Sequence, residues 1–268
     1  MKLLSGAELV DFIMARQAKQ VRNLVQAHRI RPTLAIVRCD EGNAVIDTYV
    51  RLKERYGDDI GVAVELYEET SETAKDRIKA LNARDDVHGI ILQLPVAPAE
   101  LTDELIAVID PVKDVDSLGQ ASSYDAATPM AILWLLAGYN ITVQDVALVG
   151  EGKLVGGPLR AMLEKSGVNV AVYDLNSTGS LRDFLVNKKL IITATGSAGS
   201  ISADMIAPGA VVVDAGTASE NGVIRGDLAD DVYERQDISV TPRRGGVGPL
   251  TVAAVFDNVL RAARARTN

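Results

Sequence analysis

The chain has 268 residues, 47% of them hydrophobic, enough for one sizeable core or two modest ones. A formal charge of −8 and a pI near 4.9 argue against non-specific nucleic-acid binding and against an anionic membrane surface, while leaving room for a local pocket of opposite sign. The single cysteine, Cys39, precludes an internal disulfide, and no apolar run approaches the roughly 20 residues of a membrane helix. The first residues turn polar too soon for a signal peptide, so the expected location is cytoplasmic.

Two hydrophobic periods alternate along the chain. Ser5 and Glu8 have capping-box spacing, and Leu9, Phe12 and Ile13 follow at helical intervals. TLAIVRC (33–39) predicts a buried strand, and 43–57 a helix closed by Gly57. A strand over 62–68, a helix over 71–86, a strand over 89–95 and a helix over 99–110 follow. Beyond the loop at 113–119, a helix over 128–139 carries Pro129 in its first turn. VALVG, VNVAVYD, LIITATG and GAVVVDAG then predict buried strands separated by helices, and such uniformly apolar runs suit parallel strands covered on both faces. Thr251 is placed to cap a last helix whose Val252, Val255, Phe256, Val259 and Leu260 form one stripe. The alternation implies an α/β chain of doubly wound parallel sheets, in two domains meeting near residue 120.

Gly150, Gly152 and Gly156 form G-x-G-x-x-x-G, one residue longer than the usual dinucleotide fingerprint. A strand before and a helix after supply the context for a dinucleotide, although glycines at this spacing also serve a plain tight turn. Asp174 ends the next predicted strand, where an acidic side chain can hold the ribose hydroxyls of NAD; a turn-capping aspartate fits equally. Glu151, between the first two glycines, and Asp174 together oppose a 2′-phosphate and favour NAD over NADP.

The helix at 43–57 carries Ile46, Tyr49, Val50 and Lys53 on one face. A lysine held there, away from water, has its pKa lowered and can transfer protons; alternatively its stem covers apolar surface while its ammonium reaches solvent. Gln93 falls at the C-terminal end of a predicted parallel strand, where such sheets bind ligands, or it ties down a loop. Asp114 and Asp116 lie in the loop that closes the first domain, as a solvated pair or as acceptors for an amino-pyrimidine edge.

In order, YVRLK, LQLP, KDVD, VGEGKLVGGP and TPRRGGVGPLT resemble the bifunctional methylenetetrahydrofolate dehydrogenase/methenyltetrahydrofolate cyclohydrolase family over essentially the whole chain. The resemblance implies a tetrahydrofolate-binding catalytic domain over 1–122 with 251–268, to which the final helix returns, and an NAD(P)-binding Rossmann domain over 123–250. It implies a homodimer without a metal, oxidising 5,10-methylenetetrahydrofolate and hydrolysing the methenyl product to 10-formyltetrahydrofolate. Tyr49 would stack on the aminobenzoate ring, Asp116 would hold the pterin, and Lys53 with Gln93 would assist proton transfer. Gly246 and Pro249 would approach folate and nicotinamide, and Gly150, Glu151, Gly152, Val155, Gly156, Asp174 and Thr217 would line the cofactor.

The resemblance argues for NADP, against the acidic residues. Glu151–Gly152 replaces the family's Arg-Ser, which helps hold the 2′-phosphate in NADP-using members. Ile46 replaces a serine, Ser117 a glycine, AATPMA (126–131) a P-C-T-P-x-G segment, and Arg244, preceded by Arg243, a proline. That arginine pair could face the folate tail or a phosphate, or lie exposed. A monofunctional NAD-linked dehydrogenase and a non-catalytic binding homologue are the competing readings.

Overall fold

The computed structural model describes residues 1–40, 44–220 and 223–267. Its elements in chain order are β1 (Lys2–Leu3), α1 (Gly6–His28), β2 (Thr33–Arg38), α2 (Ala44–Ile60), β3 (Ala63–Glu68), α3 (Ala74–Asn82), β4 (Gly89–Gln93), α4 (Thr102–Val108) and α5 (Ala127–Gly138). They continue with β5 (Asp145–Val149), α6 (Gly156–Lys165), β6 (Asn169–Tyr173), α7 (Leu181–Leu185), β7 (Leu190–Thr193), β8 (Val211–Asp214), β9 (Ala218–Glu220), β10 (Val223–Arg225), β11 (Ser239–Val240) and α8 (Val247–Ala265). Among the described residues no helix is long and apolar enough to cross a membrane.

The chain forms two compact units. One, built from Asp11–Ala127 and the chain from Val252 onward, holds a parallel sheet in the order β3-β2-β4. Every residue of β2 and β4 is buried, as expected of central strands with both faces covered. Ala35, Val37 and Cys39 share a core with Ile90 and Leu92 of β4 and with Ile78 and Leu81 of α3. Alternation therefore sends Arg38 and Gln93, which are register partners, to the opposite face. On the α2 side, Tyr56 packs its ring 5.0 Å from that of Phe256 in α8.

The other unit, Met1–Val10 with Thr128–Thr251, carries a parallel sheet in the order β1-β11-β8-β7-β5-β6 and the small antiparallel hairpin β9–β10. Met1–Val10 therefore groups with this unit and not with residues 11–122, because Lys2 and Leu3 pair with Ser239 and Val240. The other cuts fall at Ala127/Thr128 and Thr251/Val252.

Several local expectations are corrected. Gly57 does not end its helix; α2 runs on to Ile60 and closes at Gly61, whose φ is +86°. Two bonds mark that terminus, from Gly61 N–H to the Asp58 carbonyl at 3.2 Å and from Val62 N–H to the Gly57 carbonyl at 2.9 Å. Gly57 is small for another reason, since a Cβ there would sit 2.5 Å from Val64 Cγ2. Thr251 lies inside α8, its hydroxyl bonded to the Val247 carbonyl, so the helix begins within the GGVGP segment. Ser5 caps α1 by accepting from Glu8 N–H at 3.3 Å, but its own N–H donates to the Tyr139 hydroxyl at 2.8 Å and not to Glu8. Asn43, the expected first residue of α2, lies outside the described residues.

Candidate active site

At the C-terminal edge of the three-stranded sheet, α2 buries Ile46, Val50 and Tyr56 on the stripe that also carries Lys53, itself only 8% exposed. Lys53 Nζ donates to Gln93 Oε1 at 2.8 Å. The Gln93 amide is oriented by its own Nε2, which donates to the Leu94 carbonyl at 3.0 Å and so leaves Oε1 facing the lysine. Burial pushes the Lys53 pKa down, opposed by the negative charge of Asp116. Burial likewise pushes the Asp116 carboxyl up, with Lys53 pulling it down and Asp114 adding repulsion.

Tyr49 lies one helical turn before Lys53, half-buried, with its hydroxyl pKa raised by burial. Among the described residues no buried side-chain polar atom lacks a partner, so the unbonded carboxylate of Asp116 faces accessible space. Tyr49, Lys53, Gln93 and Asp116 thus belong to one unit, with an amine whose pKa burial lowers, an oriented amide and an open carboxylate close to one sheet edge. The structure separates the two loop aspartates. Asp114 accepts from the N–H groups of Gly119 at 2.8 Å and Leu118 at 3.3 Å, and its carboxylate is spent holding the loop. Ser117 fills the family's glycine position with a φ of +57°, its hydroxyl bonded to the Tyr124 carbonyl at 2.7 Å.

Two residues here escaped sequence reasoning. Arg38 is 8% exposed and forks onto Asp40 at 2.7 and 2.8 Å while reaching Asp47 of α2 at 2.8 Å. The sheet thus contacts α2 through Arg38–Asp47 and Gln93–Lys53, on either side of Tyr49 in sequence. The one available signal was an arginine ending an otherwise apolar buried strand. Lys113 is buried and donates to the carbonyls of Leu81, Asn82 and Arg84, ending α3 well before residue 86.

In the six-stranded unit, Gly150 turns at φ +91°, and a Cβ there would lie 2.8 Å from the Ala194 carbonyl oxygen. A Cβ at Gly156 would lie 2.0 Å from the Gly150 oxygen, so α6 can start this close to the turn only without one. Gly152 borders open space. A tight turn feeding the N-terminus of a ten-residue helix, with no side chain on its open glycine, fits the pyrophosphate of a dinucleotide. Val155 precedes that helix as its N-cap, and Thr217 lies exposed after β8.

Glu151 is not a bare charge. Arg160 Nη1 donates to it at 2.8 Å, and Arg160 Nε donates to Glu164 at 2.8 Å. Asp174 has the turn-capping arrangement, accepting from Asn176 N–H at 2.9 Å and the Ser177 hydroxyl at 3.0 Å, which lowers its pKa. Two further acids brace the same sheet edge. Asp227, fully buried, accepts from the Thr193 hydroxyl at 2.5 Å and from the N–H groups of Thr195 and Ser197. Asp214 accepts from Gly216, Asp227 and Leu228 N–H groups, and burial pushes its carboxyl up. A Cβ on Gly216 would collide with Asp227, and one on Gly226 with Asp214, each at 2.1 Å.

Gly245, at φ +78°, accepts from Ala7 N–H at 3.0 Å, while the Gly246 carbonyl would lie 1.9 Å from a Cβ on Gly6. Pro249 sits in the first turn of α8. The arginine pair divides: Arg243 binds Asp230 and lies 4.4 Å over the Tyr233 ring, whereas Arg244 is exposed without a partner among the described residues.

Two α/β units, one with a dinucleotide-type glycine turn and one with a buried lysine at a sheet edge, define a two-domain nucleotide-dependent α/β enzyme class. Residues 4–116 match the tetrahydrofolate dehydrogenase/cyclohydrolase catalytic domain, and residues 126–267 match the NAD(P)-binding domain of the same family. The chain is 32% identical to the bifunctional protein FolD of Methanococcoides burtonii, over 98% of this chain and 96% of that protein. It is 34% identical to the one from Desulforamulus reducens, over 97% and 96%. The crystal structure of the bifunctional FolD enzyme from Campylobacter jejuni superposes with a TM-score of 0.90 at 28% identity, covering 99% of both chains. The chain belongs to the tetrahydrofolate dehydrogenase/cyclohydrolase family.

Proposed function

We propose that this protein oxidises 5,10-methylenetetrahydrofolate with a nicotinamide cofactor and hydrolyses the methenyl product to 10-formyltetrahydrofolate, as a cytoplasmic homodimer. The observation that carries the reading is the Lys53–Gln93 bond at the edge of the catalytic-domain sheet. In this reading Tyr49 stacks on the aminobenzoate ring, and the open Asp116 carboxylate accepts two N–H groups of the pterin edge. Gly246 and Pro249 border the substrate, and Val155 and Thr217 border the cofactor beside the glycine turn.

The nicotinamide, when bound, supplies the acceptor for a hydride from the methylene carbon. Orientation does most of the work in that step. In hydrolysis, water adds to the cationic methenyl carbon and loses a proton to Lys53 in its neutral form. N5 then takes a proton as its bond to that carbon breaks, the formyl group stays on N10, and one proton is released overall. A lowered lysine pKa favours this, since more of the amine is neutral at working pH. Gln93 keeps the amine pointed inward.

For the cofactor we favour NAD. Glu151 and Glu164 share the guanidinium of Arg160, and Asp174 ends the neighbouring strand β6 with no bond to it, so acids outnumber the arginine at this edge of the turn. The test is methenyltetrahydrofolate formation followed separately with NAD and NADP, then hydrolysis of the product. Turnover in both steps, faster with NAD, is expected; folded protein that turns over with neither cofactor would sink the reading.

A further inference from the structure

β5 and β6 are neighbours, with Val149 opposite Tyr173 and Gly150 N–H donating to the Tyr173 carbonyl at 2.8 Å. Glu151 and Asp174 therefore leave adjacent strands at the same sheet edge, where such folds hold the adenosine ribose of a dinucleotide. Both Asp174 oxygens are occupied by Asn176 and Ser177. Glu151 offers only Oε1 to Arg160, which leaves Oε2 open.

Arg160 reaches Glu151 because helical side chains lean toward the helix N-terminus, carrying its guanidinium from α6 back over the turn. A guanidinium is the side chain best shaped for a phosphate. Here it is covered on one side by Glu151 and on another by Glu164, each at 2.8 Å. The pair is partly accessible, with side-chain exposures of 39% for Arg160 and 32% for Glu151, so a ligand can compete for either partner.

Resting on the nucleotide reading above, we propose that Arg160 is the specificity-determining residue of the cofactor site. Covered, it braces Glu151 as an acceptor for the ribose 2′-hydroxyl. Uncovered, the same guanidinium becomes a ligand for a 2′-phosphate. Charge at residue 151 alone is thus an incomplete description of the preference, because its effect passes through residue 160.

Titration calorimetry with ADP-ribose and with 2′-phospho-ADP-ribose tests this without turnover, on the full chain and on Glu151→Gln, Arg160→Leu and the double variant. Thermal unfolding checks that each is folded. The native protein should prefer ADP-ribose. Glu151→Gln should move the affinity ratio toward the 2′-phosphate by about tenfold, the scale of one charge-assisted hydrogen bond. Adding Arg160→Leu should abolish that gain. A gain that survives in the double variant, or no gain in Glu151→Gln, overturns the role of Arg160 while leaving the nucleotide site standing. Failure of the native protein to bind either probe overturns the nucleotide site and the proposal together.

Discussion

The Lys113–Asp114 turn and the Lys53–Asp116 cluster lie in the same unit, and each sets a buried lysine near a carboxylate of one short loop. Lys113 gives its ammonium to three backbone carbonyls, and Asp114 accepts backbone N–H groups across its own loop. Lys53 has a single hydrogen-bond acceptor, Gln93, and the Asp116 carboxylate accepts none among the described residues. Burial disfavours the charged form in all four, so pKa direction does not distinguish the pairs. Hydrogen-bond occupancy does. A saturated ion is part of the scaffold, whereas an ion with open valences can meet a substrate.

Removing Lys53 should break this contrast most severely. Lys53→Met is expected to slow hydrolysis by at least about 100-fold, the usual worth of a positioned acid–base group, while thermal unfolding barely moves. In the native protein the hydrolysis rate should fall as pH drops through the lowered lysine pKa, below the ordinary lysine range. Lys113→Met should do the reverse. Three carbonyls lose their donor, partly offset by removal of a desolvated charge, for a loss of about 2 kcal/mol of stability. Urea titration would read that loss, and the rate per folded molecule should stay unchanged.

The aspartates sharpen the comparison at smaller scale. Burial pushes the Asp116 carboxyl above the ordinary range, and in the proposed reading it is the ionised form that holds the pterin. Folate KM should therefore rise several-fold as pH falls through that raised pKa, and Asp116→Asn should abolish the dependence while raising KM throughout. Asp47→Asn is expected to have the smallest effect. Its carboxylate is 42% exposed, so losing the bond to Arg38 should cost about 0.5 kcal/mol. A modest rise in folate KM without change in cofactor affinity would identify Arg38–Asp47 as positioning α2 for Tyr49.

Much of this was legible because it depends on local period. Central strands announced themselves as apolar runs, whereas β6, expected to be buried on the same ground, is an edge strand with no fully buried residue. Lys53 stood out by interrupting an apolar helical stripe. The distinction between Asp114 and Asp116 was not legible, since both sit in one tetrapeptide and differ only in which backbone groups fold back on them. Glu151 was visible, but its partner Arg160 depended on how α6 leaves the turn. Asp214 and Asp227 were missed because their carboxylates' donors, such as the N–H groups of Leu228 and Thr195, lie in other loops. Gly57 misled for a related reason, since its small size answers to Val64 on the next strand and not to the end of its helix.

Cys39 follows directly from the strand that ends at Arg38, is 3% exposed, and has its thiol pKa raised by burial. Being the only thiol in the chain, it is a natural clock for that strand end. A thiol reagent can react only during local opening, so its labelling rate at fixed pH counts openings of the sheet edge that carries Arg38 and Gln93. Folate that orders this edge should slow the clock, and cofactor alone should leave it running. Motion at this strand end could then be timed without introducing a cysteine.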